Sequence, residues 1–332
     1  MPALNSSPAN QKVLVSGANG FVAVWVVKSL LERGYSVRST VRAEEKGRHL
    51  KEIFASYGEK HEIMIVSDIT ERGAFDEAVT GVDAIQHIAS PVHIGGAHSD
   101  IITPAVQGTV GMLQSALDHG KSVKRIVITS SCAAVLHFDS KPQVFDENDW
   151  NEQCLEVLAR GDSDPSVTML VKYMASKTLA EKAVWKFWEE HQNEIKWDIV
   201  TLNPPYVFGP SMHKMSTPSD LNASSCAYVD VRDLAEAHAL ALEKPDAGSK
   251  RIIICAGVCK WQDFINAANA ISPPPRLSQP LPVGNPGSGI ASTTAVLFSY
   301  KTNRAIQILG LQYRSVADIT KDILADFEAR GW

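Results

Sequence analysis

The sequence lacks the features that mark membrane, secreted and metal-binding proteins. No apolar stretch among its 332 residues reaches the roughly 20 residues that span a bilayer, and residues 1–11 contain no apolar signal segment. The five cysteines form no CxxC pair, and the ten histidines show no HxH or HExxH spacing. We therefore expect reduced thiols, a cytoplasmic location, no membrane contact and no metal site.

Runs of basic residues are also missing, and the net charge is −5 at pH 7. Nucleic acid is therefore not an expected partner. A small molecule is the expected partner, and the sequence pattern leaves both a monomer and a homodimer open. A chain of this length can bury one large α/β domain with an appended lobe.

Short apolar strands alternate with helices through the first half of the chain. The predicted strands are 12–16, 36–41, 61–66, 84–88 and 125–129, and the predicted helices are 20–33, 43–57, 71–79 and 101–119. Such alternation produces right-handed βαβ units, and continuous apolar strands are covered on both faces. We predict the α/β class, with a Rossmann-type doubly wound parallel sheet and a smaller C-terminal substrate lobe.

The second half is less regular. The predicted elements are helices at 168–192, 231–243 and 261–271, strands at 198–202 and 251–255, and two amphipathic helices within 301–332. The stretch 272–289 is rich in proline and glycine, which excludes regular structure there.

A glycine-rich turn joins the first predicted strand to the first helix. Residues 13–23 read VLVSGANGFVA, in which Gly17 permits a sharp turn and Gly20 a close approach of backbone to a pyrophosphate. N–H groups at the start of the helix then face the negative charge. This context predicts a dinucleotide site that includes Asn19, Phe21 and Val22, and a purely structural turn is the alternative.

The end of the second strand indicates which dinucleotide binds. Sites specific for NAD place an acidic residue there, but no acid occurs before Glu44. Arg42 and Lys46 lie just past the strand, where they can hold a 2′-phosphate. We therefore predict NADPH as the cofactor, and the alternative is two solvated charges at a helix start.

Tyr173 and Lys177 are four residues apart on a predicted helix and therefore share one face. The ordinary tyrosine pKa of about 10 is high for proton exchange at neutral pH, and we expect the ammonium to lower the Tyr173 pKa. Tyr173 would then act as a general acid. Thr129, Ser130 and Ser131 stand at the C-terminal end of the fifth strand, where a hydroxyl can hold the substrate oxygen, although Ser130 can equally cap the loop.

These motifs together resemble the extended short-chain dehydrogenase/reductase superfamily. Longer segments are similar to one branch of it, the fungal methylglyoxal/isovaleraldehyde reductases, which are related to yeast carbonyl reductases and plant dihydroflavonol reductases. The segments that carry the resemblance are VSGANGF at 15–21, NPPYVFGP at 203–210, YVDVRD at 228–233 and PVGNPGSG at 282–289.

The resemblance implies a catalytic set of Ser131, Tyr173 and Lys177. It also implies that Lys177 binds the nicotinamide ribose. The other cofactor residues that it implies are Asp68 and Ile69 at the adenine, Ala89, Ser90 and Pro91 after the fourth strand, and Pro204, Tyr206 and Val207 over the nicotinamide. Our expected substrate wall, in which each residue could equally be core, is Val92, Ile94, Cys132, Leu136, Met169 and Tyr206.

The sequence departs from the family pattern in three places. Gln107 stands near the position of a helix asparagine that often completes a proton relay. The segment after Pro210 is shorter than in yeast relatives, which predicts a more open pocket. Cys132 and Leu136 stand where relatives have aromatic rings, and both changes are expected to enlarge the pocket.

The expected function is NADPH-dependent reduction of aldehydes and ketones, including ketoesters or diketones, to alcohols. Hydride transfer of this kind belongs to oxidoreductases acting on CH–OH groups. Two alternatives stay open, a NAD-dependent nucleotide-sugar epimerase or dehydratase and a non-catalytic NADPH-sensing regulator. The expected organisation is a disordered tail at 1–11, an NADP-binding Rossmann domain at 12–205 joined by 229–256, and a substrate lobe formed by 206–228 and 257–332.

Overall fold

The structure is a computed structural model of the chain, and it describes residues 4, 8–90, 101–212, 226–292 and 296–332. In chain order, the strands in these ranges are β1 (Lys12–Val15), β2 (Ser36–Val41), β3 (His61–Ile65), β4 (Ala84–His87), β5 (Arg125–Thr129), β6 (Gln143–Phe145), β7 (Asp198–Asn203), β8 (Tyr206–Phe208), β9 (Cys226–Asp230), β10 (Lys250–Ile253), β11 (Gly257–Cys259) and β12 (Phe298–Tyr300). The α-helices are α1 (Phe21–Glu32), α2 (Glu44–Ile53), α3 (Ile102–His119), α4 (Glu152–Leu158), α5 (Met169–His191), α6 (Val231–Glu243), α7 (Trp261–Asn269) and α8 (Val316–Arg330). None of the helices described is long and apolar enough to cross a bilayer.

Seven of the strands form one parallel sheet in the order β10-β7-β5-β4-β1-β2-β3. The strand order reverses beside β1, whose neighbours are β2 and β4. A crevice therefore opens at the carboxyl ends of these two neighbours, which is where open α/β sheets bind ligands. The predicted α/β class and doubly wound Rossmann-type sheet are confirmed.

The apolar strands separate two hydrophobic cores. Val13 and Val15 of β1 belong to the core that contains apolar side chains of α1 and α6. Leu14, between them, points to the other core, which contains side chains of α3 and α5. All three side chains have no solvent exposure, because helices cover both faces of the sheet.

Two helix predictions in the first half are wrong in part. The predicted helix over 71–79 consists of turns, because Gly73 adopts φ +76° in the middle of it. The polar helix predicted to reach residue 57 ends at Ile53, and a 3-10 segment, Ala55–Lys60, follows it with Gly58 at φ +55°. The turns at 71–79 still connect β3 to β4, so the sheet order is unaffected.

The C-terminal half contains short elements that the sequence pattern does not predict. β11, β9 and β8 form a three-stranded sheet, and β12 pairs with β6. The first of the two helices predicted within 301–332 is only a π-helical turn, Ala305–Leu309, which ends at Gly310 in the left-handed conformation. The division of the chain into a dinucleotide domain and a substrate lobe stays a prediction.

The described part of the N-terminal stretch is attached to the fold. Leu4 is 2% exposed and lies in the same core as Leu242 of α6. Its N–H donates to the Leu242 carbonyl at 2.9 Å, and Pro8–Asn10 form a 3-10 turn. The disorder expected over 1–11 is therefore wrong at these four residues, because burial of Leu4 ties the chain to α6.

Candidate active site

The glycine turn between β1 and α1 has the close packing that the sequence predicts. Gly17 has φ +63°, and a Cβ there would lie 3.0 Å from the Ala89 Cα after β4. Gly20 precedes α1, and no side chain caps the helix there. Any larger residue at 17 would push the turn away from β4. Helix α1 therefore begins at the crevice beside β4, where its N-terminus can face an anion.

Ser16 fixes the end of β4 against the glycine turn. Its hydroxyl accepts the N–H groups of Ile88 and Ala89, both at 3.0 Å, and lies 3.0 Å from His87 Nδ1. Burial lowers the His87 pKa to about 4, with the Lys177 ammonium acting in the same direction. The ring is therefore neutral at pH 7. The sequence signal for this contact is a serine directly before the first glycine of the turn.

The expected adenosine side lies at the ends of β2 and β3. Arg42 and Lys46 are both exposed, directly after β2 and in the first turn of α2. The Ala18 N–H in the glycine turn donates to the Thr40 carbonyl at 3.0 Å, so the end of β2 lies beside the turn. Among the described side chains, the end of β2 carries no acid before Glu44.

Asp68 and Ile69 follow β3 with different surroundings. The exposed Asp68 carboxylate accepts the N–H and hydroxyl of Thr70, at 2.8 and 2.7 Å. These bonds lower the Asp68 pKa, the backbone bond most. Ile69 packs on Gly108 of α3, where a Cβ would lie 2.8 Å from the isoleucine Cδ1. Asp68 is thus an exposed acceptor, whereas Ile69 joins this edge of the sheet to α3.

Helix α5 carries both Tyr173 and Lys177 on one face, as predicted. The Lys177 ammonium donates to the Ser90 hydroxyl at 2.9 Å. Burial lowers the Lys177 pKa to about 8. Lysine, Ser90 and the glycine turn are thereby brought to the same crevice.

Tyr173 shares a side-chain hydrogen bond with Ser131. Burial raises the pKa of Tyr173, and this effect is larger than the lowering by the Ser131 bond. The expected lowering of this pKa by Lys177 is therefore wrong for this structure. The physical reason is that the phenol is desolvated while the lysine ammonium is bonded to Ser90.

The two adjacent serines after β5 have different partners. The Ser131 hydroxyl accepts the Ala133 N–H at 3.1 Å, donates weakly to the Pro204 carbonyl at 3.5 Å and bonds to Tyr173. The Ser130 hydroxyl instead donates to the Glu181 carboxylate at 2.5 Å. Of the two serines, only Ser131 is therefore placed beside the phenol. The Ser130 side chain is held by Glu181.

Glu181 of α5 is the centre of a buried hydrogen-bond network, and the sequence motifs did not identify it. The side chain is 2% exposed. Its carboxylate accepts hydrogen bonds from Ser130, Thr201, Asn203, Arg251 and, at 3.5 Å, the indole N–H of Trp185. Its position four residues after Lys177 is a sequence signal, because it places Glu181 on the same helix face.

A cavity of about 20 Å³ lies between α3, α5 and the ends of β4 and β5. It is lined by His87, Lys177, Glu181 and Ser130, among others, and has room for about one water molecule. Gln107 was expected near the position of the relay asparagine, but it is exposed. Ala105 and Thr109, on the inward side of α3, line the cavity instead, so Gln107 does not take the place of the relay asparagine.

The residues expected to cover the nicotinamide and to form the substrate wall lie only partly together. Tyr206 is 59% exposed and stacks on Phe208 with ring centroids 6.4 Å apart. Pro204 is buried, and its carbonyl accepts the Cys132 N–H at 2.8 Å. Val207 is half-buried, and Met169 is exposed at the start of α5.

The two positions expected to enlarge the pocket pack inward. Cys132 is 3% exposed, lies in a core cluster with Phe145, and bonds to the Tyr300 hydroxyl. Leu136 packs both on this cluster and on the one that includes Tyr173. The space that the small Cys132 side chain leaves is therefore filled by core side chains and does not enlarge the pocket. Pro91, Val92, Ile94 and the segment 213–225 lie outside the described residues.

Comparison with known proteins identifies the family. The model of the 3-beta hydroxysteroid dehydrogenase/isomerase family matches residues 14–244. The NADPH-dependent methylglyoxal reductase of Saccharomyces cerevisiae is 33% identical, covering 96% of this chain and 99% of that protein. A ketoreductase of Aspergillus niger is 31% identical, covering 92% of this chain and 94% of that protein.

Solved structures agree with the sequence comparison. The crystal structure of yeast methylglyoxal/isovaleraldehyde reductase complexed with NADPH matches with a TM-score of 0.83 at 31% identity, over 96% of this chain and 99% of that chain. The predicted resemblance is thereby confirmed. This protein belongs to the 3-beta hydroxysteroid dehydrogenase/isomerase family, within the extended short-chain dehydrogenases/reductases.

Proposed function

We propose that this protein is an NADPH-dependent carbonyl reductase that converts aldehydes or ketones to alcohols. The observation that carries the proposal is the grouping of the Ser131 and Tyr173 hydroxyls and the Lys177 ammonium at the crevice beside the glycine turn. Relatives that are NADPH-dependent reductases support the same chemistry. The substrate is bound, in this proposal, between that group and the C-terminal elements that form the substrate lobe.

The residues present fit NADPH. The backbone at Gly17 is too tight for a Cβ, and α1 starts at the crevice without a side-chain cap. These features suit the pyrophosphate, and the exposed Arg42 and Lys46 suit a 2′-phosphate. The remaining proposed contacts are Asn19, Phe21, Val22, Asp68, Ile69, Ala89, Ser90, Pro91, Lys177, Pro204, Tyr206 and Val207.

In the proposed mechanism NADPH supplies the hydride, and the protein supplies position and a proton. Ser131 and Tyr173 donate hydrogen bonds to the carbonyl oxygen, which concentrates negative charge as the reaction proceeds. The raised pKa of Tyr173 keeps its phenol protonated at neutral pH, so it can act as the general acid. Lys177, held by Ser90, would carry positive charge on the same face of α5 one helical turn from Tyr173.

The direct test is the Tyr173→Phe variant. Because general acid catalysis contributes about 10²–10⁴-fold, kcat should fall by about 100-fold or more while the Kd for NADPH stays unchanged. NADPH absorbance is followed with a panel of aldehydes, ketones and nucleotide sugars, and NADPH binding by fluorescence. Tyr35→Phe is the matched control, since its hydroxyl bonds to Glu243 away from the site. Near-normal turnover by Tyr173→Phe contradicts the mechanism, and turnover of nucleotide sugars alone contradicts the proposed activity.

Cofactor choice is tested by Arg42→Ala. The KM for NADPH should rise far more than the KM for NADH, because only NADPH has the 2′-phosphate that the guanidinium would hold. Arg48→Ala removes an equal charge from an exposed position of α2 and serves as the control. An equal rise in both variants assigns the effect to overall charge and contradicts a specific Arg42 contact.

A further inference from the structure

We propose that Glu181 is a positioning residue for the reduction: it holds the corner that carries Ser131 against helix α5, and thereby aligns the Ser131 and Tyr173 hydroxyls on one substrate oxygen. The proposal rests on the proposed function, in which both hydroxyls donate to that oxygen.

The placement of Glu181 on α5 is the first step. Tyr173, Lys177 and Glu181 follow one another at four-residue spacing within the continuous helix, Met169–His191. Residues at this spacing lie on one face, about 6 Å apart along the axis. Helix α5 therefore carries the proposed proton donor and the Glu181 carboxylate as parts of one rigid element.

One oxygen of the carboxylate binds the serine corner. Glu181 Oε2 accepts the Ser130 hydroxyl at 2.5 Å and the Asn203 amide at 2.7 Å. The same Asn203 nitrogen also donates to the Ser131 carbonyl at 3.2 Å. The residue before Ser131 and the peptide of Ser131 itself are thus both connected to Oε2.

The other oxygen binds the strands beyond. Glu181 Oε1 accepts the Thr201 hydroxyl at 2.9 Å and Arg251 Nε at 2.7 Å. The Trp185 indole N–H also donates to Oε1, at 3.5 Å. An ionised carboxylate only accepts hydrogen bonds, so these five converging donors match it and would not match an amide. With 2% exposure, no solvent competes with these bonds. The side chain is therefore held in one orientation.

This arrangement affects catalysis because the two hydroxyls come from different elements. Ser131 follows β5, whereas Tyr173 is on α5. Among the described contacts, Glu181 of α5 connects the two elements through its hydrogen bonds to Ser130 and Asn203. A displacement of about 1 Å between reacting groups can cost roughly 100-fold in rate. Loss of the Oε2 bonds should therefore lower kcat more than it lowers NADPH binding.

A purely structural role for Glu181 is the competing explanation, and a matched pair of variants separates the two. Ser130→Ala and Thr201→Val each remove one hydroxyl donor from the same buried carboxylate. Ser130 is adjacent to Ser131, whereas Thr201 lies within β7. A structural role predicts equal effects on turnover, and a positioning role predicts an effect of Ser130→Ala alone.

The experiment measures kcat, KM, the NADPH Kd and Tm for both variants. It also measures the kinetic isotope effect on kcat with NADPH deuterated at the transferred position. We expect Ser130→Ala to lower kcat about tenfold or more, with an unchanged NADPH Kd and a larger isotope effect as hydride transfer becomes rate-limiting. Thr201→Val should keep kcat within about twofold, whatever its Tm. Equal changes in kcat, or no change with Ser130→Ala, would overturn the proposal.

Two further variants keep the test decisive. Ser130→Cys retains a weak donor of similar size. If Ser130→Ala does not fold, the kcat of Ser130→Cys is compared with that of Thr201→Val instead. Tyr173→Phe reports on the proposed function itself. If Tyr173→Phe is inactive while both serine variants turn over normally, the role of Glu181 is wrong and the proposed mechanism stands. If Tyr173→Phe is fully active, the proposed mechanism is wrong.

Discussion

Two buried arginine–carboxylate pairs in this protein have the same chemistry and different surroundings. The first joins Arg125 and Asp198, the opposed first residues of β5 and β7, and both side chains have no solvent exposure. Two parallel bonds of 2.6 and 2.8 Å connect them. Backbone carbonyls of Ala241 and Lys244 accept the remaining bonds of Nη1.

The second pair joins Arg251 to Glu181 through a single bond from Nε. Its guanidinium lies over the Trp150 ring, 3.6 Å from the centroid, and its Nη2 has no hydrogen-bond partner among the described residues. The carboxylate is shared with Ser130, Thr201 and Asn203. The first pair is thus a structural contact in which arginine and carboxylate bond to each other twice. In the second pair, the carboxylate accepts one bond from its arginine and further bonds from residues beside the proposed site.

The largest expected effect comes from opening the first pair. Arg125→Met leaves the Asp198 carboxylate buried without its partner, so the free energy of unfolding should fall by about 3–5 kcal/mol. Because the pair lies at the amino ends of the strands, kcat of the folded fraction should hardly change. Urea denaturation and kcat measured below the transition check both parts. A loss below about 1 kcal/mol would show that the pair is not a structural contact of this kind.

A smaller loss of stability is expected from the second pair. Arg251→Met leaves Glu181 with four donors, so the free energy of unfolding should fall by about 1–3 kcal/mol. The carboxylate is then free to turn toward Thr201, and kcat should fall severalfold. The same two measurements apply. If Arg251→Met costs more stability than Arg125→Met and leaves kcat intact, the contrast between the pairs is reversed.

The smallest effect at neutral pH concerns a buried group with no ionic partner. His238 has no solvent exposure, its Nδ1 lies 2.6 Å from Gln86 Oε1 and its Nε2 lies 3.0 Å from the Thr129 hydroxyl. Burial lowers its pKa to about 3, below the value of about 6.5 in the unfolded chain. The unfolded state therefore binds one more proton between these values, and stability falls as pH falls through this window.

The measurement is unfolding free energy against pH for the wild type and His238→Gln. Between pH 6 and 4.5 the wild-type slope should be steeper by about 1.4 kcal/mol per pH unit. Parallel slopes would mean that His238 is protonated alike in the folded and unfolded chains. Neither arginine pair should alter this difference, because their variants leave His238 and its two hydrogen bonds in place.

The local sequence pattern was sufficient to predict strands and helix faces, because these depend on residues close together in the chain. Buried apolar runs predicted β1 and β5, and the four-residue spacing of Tyr173 and Lys177 placed both on one helix face. Glu181 could not be assigned in the same way, because its donors at 130, 201, 203 and 251 are distant in the chain and meet only in the folded sheet.

Two further gaps have the same origin. The choice between Ser130 and Ser131 depends on which hydroxyl points at Glu181, and adjacent serines look alike in sequence. The direction of the Tyr173 pKa shift depends on burial, which the helix pattern does not report. Strands β6, β8, β11 and β12 have three residues each, which is too short for an alternating pattern to be recognised.

The first arginine pair also determines what the chain can tolerate at Gly248. This residue has an ordinary φ of −56°, so its backbone conformation does not require glycine. A Cβ there would instead collide with the Asp198 carboxylate that Arg125 holds. In a library randomised at this codon and selected for folded protein, glycine alone should survive, and a second allowed residue should appear only in a background where Asp198 has been replaced by a smaller side chain.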